Sequence, residues 1–188
     1  MKKKTYKLSA LAEFNTGVLQ TRIEDPITEA PSDRIIFNPL AETPKYVHGT
    51  SELPTIQNGT AAISMLQKRA FIAKPQPNTT EQVLTANYTA LSFDDRIRPD
   101  FFVWWFNCSI EAQSQLQERG QLGRRIVVRD LHELTITIPD LAVQEDIAKL
   151  YQNGVEAADI YRKLADTIEE KSQQFIQQHI AKELAHEE

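Results

Sequence analysis

The stretch Leu131-His132-Glu133-Leu134-Thr135-Ile136-Thr137-Ile138-Pro139-Asp140-Leu141-Ala142-Val143-Gln144-Glu145-Asp146-Ile147-Ala148 joins two different periodicities. Before Pro139, Leu134, Ile136 and Ile138 alternate with Thr135 and Thr137, the period-two pattern of a half-buried strand rich in β-branched residues. After Asp140 the chain holds no proline and a single glycine, Gly154, among Ala, Gln, Glu, Lys and Leu. Apart from that glycine these residues lose little on entering a helix, so the sequence predicts one long helix from Leu141 onward. Pro139-Asp140 separates the two elements.

Within the predicted helix Ile147, Leu150, Gly154, Ala157, Tyr161, Leu164 and Ile168 recur in alternating steps of three and four; Lys171 interrupts and Phe175 resumes. That is a heptad seam. At 1.5 Å per residue about 40 residues reach roughly 60 Å, longer than a domain of this size, so a partner helix is expected. The small residues Gly154, Ala157 and Ala158 leave room for a partner backbone. Gly154 costs about 1 kcal/mol relative to Ala in a helix interior, and a break there into two shorter helices is the alternative.

The chain has 188 residues, 41% hydrophobic and 25% charged, with six glycines, nine prolines and one cysteine. This is the composition of a soluble globular protein, long enough for one domain plus an extended element. The expected division is a globular domain over 1–140 and a helix over 141–188. All nine prolines lie in the first part. The net charge of −5 speaks against a nucleic-acid partner only until it is divided. Lys and Arg number 16 against 16 Asp and Glu in 1–140, and 5 against 10 in 141–188. The domain is neutral and the helix carries the negative charge.

The domain reads as α+β, with a bent mixed or antiparallel sheet and short helices. Val83 to Phe93 and Arg125 to Ile138 have strand character, and Asn58-Gly59 signals a turn ahead of Ala61-Ala62-Ile63. Leu8 to Phe14 is expected to begin a short helix with Ser9 as a cap. A second helix is expected from Pro99 to about Gln117, with Pro99 in its first turn and Asp100 at its positive end. The run Phe101-Phe102-Val103-Trp104-Trp105-Phe106 would cover nearly the whole circumference of that helix, which marks it as core rather than a base-stacking platform. Cys108, beside it, is expected to be a buried inert thiol.

Catalytic chemistry finds little support. His48, His132, His179 and His186 form no helical ligand pair, and the phosphate-cradling, nucleophile-elbow and Cys-x-x-Cys patterns are absent. Asp94, Asp95 and Asp100 offer a magnesium-type group for a small hydrolase, but a turn followed by a helix start explains the same residues. No run of 18 uncharged apolar residues occurs, and Met1-Lys2-Lys3-Lys4 leads into no apolar segment, so the chain reads as cytoplasmic.

The 131–148 stretch is similar to a strand, then Ile-x-Ile-Pro-x-Leu, then a Gln and an Ile-Ala opening a long helix, as found in DNA-specificity subunits of type I restriction-modification systems. Pro99-Asp100-Phe101-Phe102 with Trp104 and Phe106-Asn107 resembles the family's helix after its middle strands, and Ala86-Asn87-Tyr88 the strand before it. Leu8 to Gly17 resembles the family's opening, without the proline that often follows the glycine. The chain thus resembles one half of such a subunit, the form with a single target recognition domain. The resemblance implies a non-catalytic protein without cofactor that binds double-stranded DNA. It would direct a partner adenine-N6 methyltransferase carrying S-adenosylmethionine, and a restriction or translocase subunit where one exists. The usual subunit has two recognition domains on an antiparallel coiled coil. A homodimer joined through Ile147, Leu150, Gly154, Ala157, Tyr161, Leu164, Ile168 and Phe175 would restore that arrangement and read a symmetric, interrupted site. Met1 and the polar ending at 185–188 read as those of a complete half-subunit.

DNA reading requires Arg, Lys, Asn and Gln at base edges with cations on phosphates. The basic clusters are Lys68-Arg69 with Lys74, Arg96 with Arg98, and Arg119, Arg124 and Arg125 in a glycine-containing loop with Gln121. Asn87 joins them from the family-like strand. The competing reading is a coiled-coil adaptor of the same fold that does not read DNA, suggested by the acidic charge.

Overall fold

The computed structural model describes residues 4–118 and 125–184, with side chains described as far as Ile180. Among these, the strands are β1 (Lys4–Lys7), β2 (Ala12–Thr16), β3 (Ile27–Thr28), β4 (Arg34–Ile36), β5 (Tyr46–Val47), β6 (Ala61–Ser64), β7 (Arg69–Ile72), β8 (Glu81–Val83), β9 (Tyr88–Phe93) and β10 (Thr135–Ile138). The helices are α1 (Pro99–Cys108), α2 (Ile110–Glu118), α3 (Val128–His132) and α4 (Leu141–Leu184). The fold is α+β. It divides into two compact units after Ala148, so the first two turns of α4 belong to the globular unit.

Three sheets build that unit. An antiparallel sheet has the order β2-β9-β6-β7, a mixed sheet the order β3-β5-β4-β8 with β4 and β8 parallel, and β1 pairs with β10. The apolar cluster of Phe37, Ile56, Ala62, Ala73, Leu84, Tyr88 and Ala90 lies between strands of the first two sheets, and Ile23, Val47 and Val83 form a smaller one. Phe101, Phe102, Trp105 and Phe106 of α1 are fully buried, and the rings of Phe102, Trp105 and Phe106 have centroids 5.7 to 6.5 Å from one another, as the density of that apolar run implies.

Side-chain amides fasten helices to strand edges that no further strand pairs. Asn107 of α1 takes both backbone groups of Ala70 on β7, accepting from its N–H at 2.8 Å and donating to its carbonyl at 2.9 Å. Gln115 of α2 does the same to Thr135 on β10, at 2.8 and 2.7 Å. In the mixed sheet the buried Arg34 donates to Glu81 at 2.9 Å and to the Gly49 and Ser51 carbonyls at 2.7 and 2.8 Å, tying the 48–53 loop to β8.

The strand ending at Ile138, the Asn58-Gly59 turn and the long helix form as the sequence implies. Gly59 adopts φ 85° and α4 passes through Gly154 unbroken. Four expected elements differ. Val83 to Phe93 is not one strand: β8 ends in the mixed sheet, the Tyr88 N–H closes a turn on Thr85 at 2.9 Å, and β9 starts in the other sheet. Apolar alternation continues through that switch and hides it. Arg125 to Ile138 contains α3, opened where Asp130 accepts the Val127 N–H at 3.3 Å, and only Thr135–Ile138 is strand. Leu8 to Phe14 yields one 3-10 turn, Leu8–Ala10, with no side-chain cap, and then β2. Leu8 and Leu11 are buried there, and the Leu8 N–H is bound to the Leu134 carbonyl, so the segment follows strand partners. The Pro99 to Gln117 helix breaks at Ser109, whose extended backbone and hydroxyl, accepting the Ala112 N–H at 3.0 Å, start α2 anew. Cys108 is exposed rather than buried, because α1 ends there and its buried residues stop at Phe106.

Candidate nucleic-acid interface

The β6–β7 hairpin closes through a four-residue tip, Met65 to Lys68. The Lys68 N–H donates to the Ser64 carbonyl at 2.9 Å and the Gln67 N–H to the Ser64 hydroxyl at 3.2 Å. Closing so short a loop puts Lys68 at φ 54°, a conformation that favours glycine. Two further segments meet the tip. The Met65 N–H donates to the Asn87 carbonyl and the Met65 carbonyl accepts from Ile126, both at 2.9 Å. Arg125 in turn donates to the Ala86 carbonyl. Three segments far apart in sequence are thereby laced into one end of the sheet.

That end gathers Lys68, Arg69, Asn87 and Arg125. Arg69, Asn87 and Arg125 are exposed, and the Arg69 guanidinium lies 5.6 Å from the Phe71 ring centroid. Three cationic side chains and an amide at this end of the sheet form a surface suited to phosphate and base-edge contacts. Lys74 lies two residues past the opposite end of β7, where its carbonyl accepts from the buried Gln82 amide at 3.0 Å. The length of β7 separates it from Arg69.

Arg96 and Arg98 lie beyond the far end of β9. Asp94 binds Arg96 Nε at 3.0 Å, Arg96 also donates to the Ala10 carbonyl at 2.6 Å, and it stacks over Tyr6 at 4.9 Å. The hydrogen bonds from Arg96 hold the Asp94 carboxyl below its ordinary value, and Asp94 raises the arginine in return. Arg98 pairs with Asp100 at 2.8 Å. Both charges are matched locally, and the acidic residues Asp94 and Asp100 are spent in the same pairs. Arg119, Gln121 and Arg124 lie outside the described residues. Among the described residues no group of three or more His, Cys, Asp or Glu stands placed to hold a metal, and no helix is long and apolar enough to cross a membrane.

Sequence reasoning missed Leu66, exposed at the hairpin tip, and the structural role of Gln144. Gln144 is completely buried. Its amide accepts the Arg98 N–H at 2.9 Å and donates to the Arg96 and Pro139 carbonyls at 3.0 and 2.9 Å. A polar residue in the first turns of an otherwise amphipathic helix carries no sign of burial, and only its recurrence in the family-like stretch marked it.

In the second unit the seam residues lie open. Leu150 is 73% exposed and Phe175 71%, and Tyr161, Leu164 and Ile168 are more than half exposed. Ala157 is also exposed, and a side-chain carbon added at Gly154 would meet nothing within 4 Å. Ile147 is half-buried in the globular unit. Ile160, Ile176 and Ile180 add exposed apolar surface that the heptad reading did not include.

Solved structures share this arrangement of strands and helices. The chain matches the HsdS subunit from Thermoanaerobacter tengcongensis with a TM-score of 0.59 at 16% identity, over 85% of this chain and 39% of that one. The S subunit of the type I restriction-modification system from M. genitalium matches with a TM-score of 0.53 at 18% identity, over 88% and 44%. A chain from a study of complex assembly and conformational transition in the type I R-M system gives 0.61 at 16%, over 88% and 41%. The chain has the S-subunit fold. It spans about two fifths of the length of the S-subunit chains it matches. No family model and no curated protein matches the sequence. On the S-subunit fold, the family-like stretch at 131–148 becomes the end of α3, β10, the Pro139 junction and the opening of α4, in which Gln144 and Ala148 are buried.

Proposed function

We propose that this chain is the non-catalytic DNA-specificity subunit of a restriction-modification complex, and that it directs a partner adenine-N6 methyltransferase to its site. The observation that carries the reading is the convergence of Lys68, Arg69, Asn87 and Arg125 at one end of the β2-β9-β6-β7 sheet within an S-subunit fold. Cations there bind phosphates and fix the register, while Asn87 and the neighbouring arginines reach base edges. The partner supplies S-adenosylmethionine and the methyl transfer; a restriction or translocase subunit joins where one exists. Two copies pair through the exposed seam of α4, from Leu150 to Phe175, and the dimer reads a two-fold symmetric, interrupted sequence in the cytoplasm.

The test is salt-dependent binding of the full chain to a duplex selected from a randomised pool. Arg125→Ala and Lys68→Ala are each expected to weaken binding and to lower the slope of log K against log salt by about 1. Absence of DNA binding by the wild-type dimer would leave the adaptor reading, which the acidic 141–188 segment favours. A stable monomer at micromolar concentration in light scattering would overturn the homodimer.

A further inference from the structure

Leu66 projects from the tip of the β6–β7 hairpin with 68% of its surface exposed, although its neighbour Met65 is buried. A single exposed leucine is common on protein surfaces. This one differs in its mounting and its surroundings. The tip that carries it is held by the two turn bonds to Ser64 and by the backbone bonds of Met65 to Asn87 and Ile126. Val127, one residue past that last bond, is also exposed. Around this apolar point stand Lys68, Arg69 and Arg125, the cations of the interface.

We propose that Leu66 is a wedge that enters between two stacked base pairs of bound DNA and kinks the duplex. The proposal rests on the DNA-binding reading above. Its physical basis is the pairing of charge with apolar surface on a stiff support. The cations draw the phosphate backbones onto the hairpin end, which brings the leucine against the bases. Partial unstacking of one step is repaid by apolar burial and by the contacts that a bent duplex makes with the flanking side chains. Pyrimidine–purine steps unstack most easily, so Leu66 selects TA or CA/TG at a position where no hydrogen bond reads the base. It is a specificity-determining residue that acts through deformation.

The experiment uses the full chain and duplexes selected by the wild type from a randomised pool, probed with permanganate, which oxidises unstacked thymines. Wild-type protein is expected to give one hyperreactive step in each half of the selected site and retarded migration in a circular-permutation bending assay. Leu66→Ala is expected to abolish both, to weaken binding roughly tenfold, and to leave the salt slope and the thermal midpoint unchanged. Leu66→Phe is expected to restore the hyperreactive step. If Leu66→Ala binds with unchanged affinity and permanganate pattern, the wedge is overturned while the DNA-binding reading stands. If Leu66→Ala leaves DNA binding intact but loses co-purification with the methyltransferase subunit, the leucine is a protein contact and the wedge is again overturned. Failure of the wild type to select any duplex removes the DNA reading itself.

Discussion

Gln144 in the second turn of α4 accepts the backbone N–H of Arg98 at 2.9 Å, joining the long helix to the start of the aromatic helix α1. The same amide holds the Arg96 and Pro139 carbonyls, so three backbone groups depend on one buried side chain. Gln144→Leu keeps much of the volume and removes every partner. We expect it to cost about 2–4 kcal/mol, the penalty for leaving buried polar groups unpaired, read as a lower urea midpoint at an unchanged slope.

Gly17 and Gly154 should respond to alanine with opposite signs. A carbon added at Gly17 would stand 2.2 Å from the Leu84 carbonyl oxygen, in backbone that also takes the Val18 N–H at 3.1 Å. Gly17→Ala therefore forces the 17–18 and 84–85 segments apart, and we expect a loss of at least about 2 kcal/mol. At Gly154 nothing lies within 4 Å. Gly154→Ala should stabilise α4 by up to about 1 kcal/mol, measured by thermal melting followed at 222 nm.

Lys68 allows charge to be separated from fold. Its φ of 54° suits glycine better than any side chain. Lys68→Gly should leave the melting temperature within a few degrees of wild type, because relief of the backbone cost offsets the added freedom of the unfolded chain. Its DNA affinity should nonetheless fall as salt rises with a slope shallower by about 1. A binding loss accompanied by a large drop in melting temperature would contradict this.

Acid should weaken the turn that holds Arg96. The hydrogen bonds from Arg96 lower the Asp94 pKa below its ordinary 3.8. A depressed carboxylate contributes stability that is complete above the unfolded value and disappears as pH falls through the folded one. Asp94→Asn should therefore flatten the decline of stability below about pH 4. At pH 7 the difference should be small, because the pair is solvent-exposed and screened.

Leu164→Glu with Ile168→Glu places like charges on the open seam. The pair should convert the proposed dimer to a monomer in light scattering at micromolar concentration. The circular dichroism and urea midpoint of the globular unit should be unchanged, since both residues lie in the second unit.

The elements legible in the sequence were those with an uninterrupted period or a strong terminator. Leu134, Ile136 and Ile138 alternate up to Pro139, and α4 runs from there because nothing but Gly154 opposes it. The break at Ser109 was also readable, since Ser is a preferred cap, but the aromatic run drew the helix through it. The switch of sheets between Val83 and Tyr88 was not readable, because both strands present the same alternation and only tertiary pairing separates them. For the site, the basic residue types were visible, yet their grouping was not. Lys74 is only five residues from Arg69 in sequence yet lies past the other end of β7, whereas Arg125 reaches the Ala86 carbonyl, beside Asn87, through a bond that no local pattern encodes.

The amides of Asn107 and Gln115 have a consequence for how copies of this protein meet. An open strand edge accepts any extended peptide, including the same edge on another molecule, and such addition has no natural end. Asn107 on β7 and Gln115 on β10 occupy backbone sites where an incoming strand would bind. Strand addition is thereby hindered at these two of the edges the three sheets present. Open-ended growth by strand addition at β7 and β10 is therefore disfavoured, and the hindrance comes from two amides carried by the neighbouring helices α1 and α2.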